Sequence, residues 1–192
     1  MAILRNLLAL IGLVALLLGG YLYSQYNQLL GEFDPDAAKV YAELVDKLRH
    51  SKDAATATIW KVPVAEGLSA EDVEETMRMV ANEKNMSNVG ELPIYKDIEA
   101  KTGETYRFAK IYMFCNSLIA KKMIDYNDDY SAYLPCRITL LEDQQGKLWL
   151  IALNMDLMIY GGAPLPPELK REAEQVKTLI LEIMERGAKG EW

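Results

Sequence analysis

The sequence predicts an α+β protein in which a single N-terminal transmembrane helix precedes a small domain with an antiparallel sheet of about four strands and helices packed on one face. Three observations support this prediction. An uncharged apolar run occupies Leu7–Tyr23. Four later segments are rich in β-branched and aromatic residues, with helical patterns before, between and after them. Strands and helices therefore do not alternate strictly, as a doubly wound fold requires.

The amino-acid composition and net charge limit the classes of function that are compatible with this chain. The 192 residues suit one domain with an appendage, and 51% hydrophobic and 26% charged residues are typical of a globular chain. The net charge of -7 argues against nucleic acid and anionic lipid as electrostatic partners, and is compatible with a basic protein. We divide the chain into a transmembrane anchor (1–25), a juxtamembrane linker with an amphipathic helix (26–52) and an α+β domain (53–192).

The apolar run indicates a membrane anchor. Its seventeen residues span about 25 Å as a helix, and flanking apolar residues extend it toward the thickness of a hydrocarbon core. Arg5 precedes the run, whereas the first charge after it is Glu32. This asymmetry predicts a single-pass protein of a bacterial inner membrane, which contacts the lipid bilayer through residues 1–25 and holds its C-terminal domain in the periplasm.

Two alternatives to the anchor are a cleaved signal peptide and a buried core helix. A small-x-small cleavage site is missing after the run, where Tyr21, Leu22 and Tyr23 stand instead. Tyrosines at that depth favour a membrane interface. A buried core helix is the weakest interpretation, because this helix is apolar on all sides and lies at the extreme N-terminus.

The juxtamembrane segment predicts a short amphipathic helix. Ser24–Phe33 is a polar connector, and Asp34 is predicted to cap a helix that has Pro35 in its first turn. The helix carries one apolar stripe, formed by Tyr41, Leu44, Val45 and Leu48. This pattern predicts that the helix covers the domain or docks on a partner.

His50, the only histidine, follows at the end of this helix. A helix C-terminus favours a histidine through its dipole, and this is the interpretation we prefer. His50 is kept as a weak metal-ligand candidate. A single histidine gives no support for a Ser-His-Asp or Cys-His site and excludes a His-rich zinc site.

The first half of the body predicts a strand, two helices and a loop. Ala55–Val64 alternates and is rich in Thr, Ile and Val, which predicts a strand. Ser69 is predicted to cap a helix with Val73, Met77 and Val80 on one face. We predict a loop over Asn85–Pro93, then a short helix over Ile94–Ala100.

The second half predicts three strands and two helices. The strands are Tyr106–Phe114, Cys136–Leu141 and Lys147–Asn154, the last two joined by a turn over Asp143–Gly146. A short helix runs from Asn116 to Met123. The last helix, Glu168–Arg186, is predicted to bury one apolar face, formed by Leu169, Ala173, Val176, Ile180 and Ile183.

Cys115 and Cys136 are the main candidate site, because Cys115 ends one strand and Cys136 begins the next. If these strands are antiparallel neighbours, the two residues lie at the same end of the sheet. A structural disulfide, worth about 3 kcal/mol for a loop of about 20 residues, is one interpretation. A soft-ligand site, with weak candidates Met113 or Met155, for copper(I), haem iron or a persulfide is a second. Free buried cysteines are a third.

The acidic segment Asp125–Asp129 resembles the start of a calcium loop but departs from it. Tyr130 stands where that loop needs glycine, and Cys136 where it needs a bidentate glutamate. The segment is therefore interpreted as an acidic loop at a helix end, suited to weak calcium binding or a basic partner. The sequence contains no Gly-rich phosphate loop or nucleotide fingerprint.

Five short segments carry a family resemblance: Val73–Thr76, Phe114–Asn116, Leu134–Ile138, Glu142–Asp143 and Gly146–Leu150. Over roughly Ala54–Tyr160 the chain resembles the family called domain of unknown function 302. The matching motif positions include Asn116, Leu134, Pro135 and Gly146. The resemblance implies a small, often dimeric α+β domain without an established activity, and exported forms of it frequently accompany bacterial sulfur or respiratory metabolism.

These observations predict a membrane-anchored periplasmic binding or accessory subunit, part of a membrane protein complex, with no catalytic activity inferred. Its partners would be other membrane or periplasmic proteins or a second copy of the chain, and no nucleic acid. Absence of a cofactor is the favoured prediction. The alternative is a redox, sulfur-handling, haem-binding or copper-binding protein that uses Cys115 and Cys136.

Overall fold

The computed structural model describes residues 2–191, so that Met1 and Trp192, the outermost residues of the predicted anchor and domain, lie outside it. Eight α-helices, one 3₁₀ helix and five strands follow one another in this part of the chain. In order they are α1 (Ala2–Gly31), α2 (Ala37–Ser51), α3 (Ala54–Ala57), β1 (Ile59–Pro63), α4 (Ala70–Glu83), β2 (Ser87–Leu92), α5 (Ile94–Thr102), β3 (Ala109–Cys115), α6 (Ser117–Tyr126), a 3₁₀ helix (Asp128–Tyr133), β4 (Cys136–Glu142), β5 (Leu148–Leu153), α7 (Asp156–Tyr160) and α8 (Pro167–Lys189).

The strands form one antiparallel sheet in the order β1-β5-β4-β3-β2. Helices α4 and α8 pack against each other and against this sheet. The predicted α+β class with an antiparallel sheet is confirmed. The sheet has five strands where the sequence predicted about four.

The additional strand is β2, which lies in the segment Asn85–Pro93 that we predicted as a loop. That prediction was wrong because the segment has almost no strand signal: β2 is an edge strand with a register shift between Asn88 and Gly90. A bulged edge strand needs only one paired side, so it tolerates glycine and polar residues.

The predicted strand Ala55–Val64 begins too early. Its first residues form the short helix α3, because the Asp53 side chain accepts a hydrogen bond from the Thr56 N–H at 2.7 Å and caps that helix. The strand itself starts at Ile59. A local capping interaction therefore overrides the alternating pattern.

The core lies between the sheet and helices α4 and α8. The helix-facing side of the sheet contributes the fully buried Tyr112, Phe114, Ile138, Leu140 and Leu150. The predicted face of α4 is fully buried, and all five predicted core residues of the last helix are buried in α8. Ser69 caps α4 as predicted, in a capping box with Asp72.

Helix α1 is apolar and exposed. Its segment Ile3–Tyr26 has a mean hydropathy of 2.1, and none of it is buried against the rest of the protein. Within residues 2–191 it is the one helix that is long and apolar enough to cross a membrane.

The segment after α1 is fastened to the domain through Asp34. Its side chain is fully buried, with one oxygen 2.6 Å from the Lys170 Nζ on α8, and its N–H donates to the Gly162 carbonyl at 2.8 Å. The N-cap position of α2 is Asp36, so the prediction that Asp34 caps this helix was wrong. Asp34 instead joins the connector to the loop before α8.

Helix α2 packs on α3 and α7 through a face that differs from the predicted stripe. Ala37 and Val40 are buried, whereas Tyr41, Val45 and Leu48 are exposed. The Tyr41 hydroxyl donates to the Gly161 carbonyl at 2.7 Å. The pattern on a helix identifies its apolar arc but not which part of that arc the domain covers.

The Asp34–Lys170 pair generates a prediction about stability. Burial by itself raises the pKa of Asp34, but the hydrogen bonds from Lys170 and the Asp36 N–H outweigh burial and leave the pKa below its usual value. We expect Lys170→Met to lower the free energy of unfolding by about 1–3 kcal/mol, since the carboxylate loses its charged partner. Chemical denaturation followed by tryptophan fluorescence measures this.

Arg171→Met is the matched control, because Arg171 is the exposed neighbour of Lys170 on the same helix. The stability that the Asp34 pair provides is present above the pKa of about 3.9 in the unfolded chain, and disappears as pH falls through the lower folded pKa. Equal effects of the two substitutions would contradict the assignment.

Candidate functional site

A pocket lies at the end of the sheet where β3 ends and β4 begins. The two strands are antiparallel neighbours, as predicted, with Phe114 directly opposite Cys136 and Cys115 next in the chain. Helices α6, α7 and α8 and the 3₁₀ helix close the pocket above this end of the sheet. The topology therefore brings the two cysteines to one site.

The pocket has a volume of about 60 Å³. At the ~10–15 Å³ that one water needs, it admits roughly four to six waters or a molecule of similar size. Its walls are mainly apolar, with a few polar groups at the rim. They are formed by Cys115, Asn116, Ile119, Ala120, Met123, Tyr130, Tyr133, Leu134, Cys136, Arg137, Ala152, Leu153, Met155, Met158, Ala173, Val176 and Ile180.

The two thiols in this pocket are neutral at physiological pH. Burial raises the pKa of Cys136 to about 11, and the neighbouring Cys115 adds to this effect, although Arg137 opposes it. Burial also raises the pKa of Cys115. A thiol with a raised pKa contains little thiolate and is a poor nucleophile, so the site is not arranged for thiolate catalysis.

Both cysteines are free in the structure. Strand alternation places Cys136 on the helix-facing side of the sheet with Ile138, whereas Cys115 follows Met113 on the opposite side. The two residues reach one pocket because they lie at the strand ends. A disulfide requires Cβ atoms about 3.5–4.5 Å apart. The disulfide stays a prediction.

The other candidate ligands, Met155, Met113 and His50, lie in different parts of the structure. Met155 lines the pocket, just before α7. Met113 lies over Gly90 on the β2–β3 pair, away from the pocket lining. His50 is three-quarters exposed at the end of α2, with its Nδ1 2.8 Å from the Asp46 carbonyl. Only Met155 therefore joins the two cysteines.

The family-motif positions fall at both ends of β4. Asn116 lines the pocket and caps α6 by accepting hydrogen bonds from the Leu118 and Ile119 N–H groups at 3.2 Å. Leu134 also lines the pocket, and Pro135 leads into β4. Gly146 lies in the β4–β5 turn with φ +79°, at the opposite end of the strand.

Sequence reasoning missed Met123 and Met158 as neighbours of the cysteines. Met123 belongs to the apolar face of α6, where a methionine is indistinguishable from core filling, and Met158 lies in α7, which the sequence did not predict. Asn127, in the acidic segment, caps the 3₁₀ helix by accepting a hydrogen bond from the Asp129 N–H at 2.9 Å. No group of three or more His, Cys, Asp or Glu side chains within residues 2–191 could hold a metal ion.

A second cluster of charged side chains lies beneath β2 and β3, well away from the pocket. The Lys110 Nζ is 3.1 Å from Glu74 and 2.8 Å from Glu91, and Arg78 binds Glu91 through two nitrogens at 2.9 Å and Glu74 at 3.1 Å. Two carboxylates and two cations balance in charge. The cluster is an internal ion-pair network, which the sequence did not reveal because β2 was predicted as a loop.

The hydroxyl of Tyr112 lies beside this network, buried and without a hydrogen-bond partner among the described residues. Burial raises the pKa of Tyr112, and the Glu74 carboxylate adds to the rise, so the hydroxyl stays protonated. Lys110 lies over the Tyr112 ring at 4.9 Å from its centre. The phenol therefore packs in the core and carries no charge.

The network predicts a loss of stability in acid. Burial alone raises the pKa of Glu91, but hydrogen bonds from Lys110, Arg78 and Asn88 outweigh it and bring the pKa to about 2. The stabilisation is complete above the unfolded pKa of about 4.3 and is lost as pH falls toward 2. We expect Lys110→Met to cost about 3 kcal/mol, because two carboxylates then share one cation.

Lys101→Met is the control for Lys110→Met, because Lys101 forms an exposed i,i+4 pair with Asp97 at 2.7 Å that should contribute less than about 0.5 kcal/mol. Urea denaturation at pH 7 and pH 3 compares the variants. An equal pH dependence of the wild type and Lys110→Met would contradict the assignment.

The thiols generate a prediction about labelling. We expect alkylation of the folded protein to be slow at pH 7 and to accelerate as pH rises toward 11, because only the thiolate reacts. Intact mass of the unfolded, non-reduced chain should show two labels, one for each of the two cysteines. Labels that appear only after reduction would show that the cysteines are bridged.

Comparisons with known proteins concern the fold. A sequence profile described as "Domain of unknown function DUF302" matches residues 60–187. One similar solved structure is an uncharacterized conserved protein DUF302 from Bacillus stearothermophilus, with a TM-score of 0.55, 14% sequence identity, and coverage of 67% of this chain and 97% of that one. A search of curated proteins found no match.

Proposed function

Since the chain belongs to the family of domain of unknown function DUF302, which provides a fold without an activity, we propose that it is a membrane-anchored periplasmic binding subunit that takes a small ligand into the pocket at the end of its sheet. The observation that supports this proposal is the mainly apolar pocket with a few polar lining groups, a composition usual for a ligand site. The subunit performs no catalysis and acts as an accessory within a membrane complex.

The anchor in this proposal is the exposed apolar segment Ile3–Tyr26 of α1. Arg5 precedes the centre of that segment, and Lys39 is the first basic residue after it. Positive residues favour the cytoplasmic side, and this asymmetry supports a periplasmic domain. The Asp34–Lys170 ion pair connects the segment after α1 to α8. In this proposal the domain therefore lies close to the bilayer and is not joined to the anchor by a flexible linker.

A paired charge substitution tests the anchor. We expect Leu13→Arg combined with Leu17→Arg to release the protein from the membrane, because each arginine near the helix centre costs about 2.5–3.5 kcal/mol of insertion free energy. Gln28→Arg, beyond the apolar segment, is the control and should stay bound. Carbonate extraction of isolated membranes followed by immunoblotting measures the distribution. Extraction of the wild-type protein by carbonate would contradict the proposal.

The accessory role predicts an assembly. Mild detergent extraction followed by native mass spectrometry should show a particle larger than one chain, and its mass distinguishes a second copy from a different partner. Protease treatment of intact spheroplasts should remove the domain, as expected for a periplasmic location. A lone monomer would count against the accessory role, and a protected domain against the location.

The alternative function at Cys115 and Cys136 includes several chemistries that the pocket supports unequally. Thiols with raised pKa values do not favour a redox or persulfide site. A pocket of about 60 Å³ is too small for a haem macrocycle. The sulfur content of the walls leaves soft-metal binding as the form of this alternative that the geometry favours.

A further inference from the structure

Sulfur is concentrated around this pocket. Seventeen of the 192 residues line it, yet they include both cysteines and three of the nine methionines. The three are Met123, Met155 and Met158, which come from two helices and the turn between β5 and α7. Because helix α6, helix α7 and the sheet end contribute sulfur independently, the concentration does not arise from one local sequence pattern.

The strand register places Cys136 between two of the other sulfur residues. Phe114 lies opposite Cys136 on one side, and Cys115 is the next residue. On the other side, extending the β4–β5 register by two residues places Asn154 opposite Cys136, and Met155 is next. Neighbouring strands are about 4.8 Å apart. Cys115, the last residue of β3, and Met155, two residues after the end of β5, therefore both lie near Cys136 at this end of the sheet.

The walls contain soft ligands and lack hard ones. None of the lining residues, all of which are in the described part of the chain, carries a carboxylate or an imidazole. Calcium, magnesium and manganese require oxygen ligands, and zinc sites in proteins combine thiolates with further thiolates or imidazoles. Thiolate and thioether sulfur together select copper(I).

We propose that the pocket binds one copper(I) ion through the sulfur atoms of Cys115, Cys136 and Met155, with Met123 and Met158 packed around the ion. This proposal rests on the proposed function, since it names the ligand of the same pocket. Two S–H bonds break, three Cu–S bonds form and two protons leave to solvent, while copper keeps its oxidation state. The Met155 thioether binds without losing a proton.

The charges at the site suit such an ion. Two thiolates and one copper(I) carry a net charge of -1, and the guanidinium of Arg137, one of the lining residues, offsets it. The occupied pocket is therefore electrically balanced.

The test is an anaerobic titration of the full-length, detergent-solubilised and fully reduced protein with copper(I) held by bicinchoninate. The chelator complex is coloured, so its loss of absorbance counts the copper that moves to the protein. We expect one copper(I) per chain. Cys136→Ser should weaken binding by at least about 100-fold and Met155→Leu by about tenfold, the range seen for loss of a metal-site group.

Met113→Leu is the matched control, because Met113 lies on β3 beside Cys115 in sequence but does not line the pocket. Its affinity should equal that of the wild type. Met155→Leu nearly preserves side-chain volume, so it tests the ligand even if Cys136→Ser impairs folding. Thermal unfolding of each variant without copper confirms that the fold is kept.

Three results would overturn the copper proposal. The reduced wild-type protein could leave copper with the chelator, or Cys136→Ser and Met155→Leu could bind as tightly as Met113→Leu. Equal affinity for zinc(II) would also contradict a soft site. Native mass spectrometry of the wild-type protein after the titration separates this failure from that of the proposed function: an assembly larger than one chain that carries no copper would support the accessory subunit and remove only its metal.

Discussion

The antiparallel pairing of β4 with β3 and β5 is the constraint on which the rest of the structure depends. It aligns Ile138 and Leu140 with Tyr112 and Leu150 on one side of the sheet, where α4 and α8 cover them. The same register fixes which residues meet at the strand ends. A shift of one residue would move every side chain of β4 to the other face and abolish both the core and the pocket.

Polar groups are buried in different ways near β2 and at the end of the sheet that holds the cysteines. Near β2, Lys110 enters the core in company with two carboxylates and an arginine, so each charge has a partner at hydrogen-bond distance. At the other end, the thiols of Cys115 and Cys136 stay neutral among apolar neighbours. The paired charges near β2 therefore have a structural role. The neutral thiols leave their sulfur atoms available to a ligand that carries a charge.

The connection between α1 and the domain also depends on a buried polar group. Asp34 is fully buried and satisfied by Lys170, Asp36 and Gly162, which come from the connector and the start of α8. Because Lys170 lies on α8 and α8 also forms a wall of the pocket, the same helix contributes to the ion pair and to the pocket. In the proposed function, a partner in the membrane and a ligand in the pocket both act on α8.

Several features could be predicted from the amino-acid sequence, because local composition or periodicity encodes each of them: the apolar helix, the α+β class, the capped helix α4, the core face of α8 and the two cysteines at neighbouring strand ends. Three other features emerge from the folded chain: β2 completes the sheet, Asp34 pairs with Lys170, and Met123 and Met158 join the cysteines. These features depend on contacts between residues far apart in the chain, for which a single sequence carries no periodic signal.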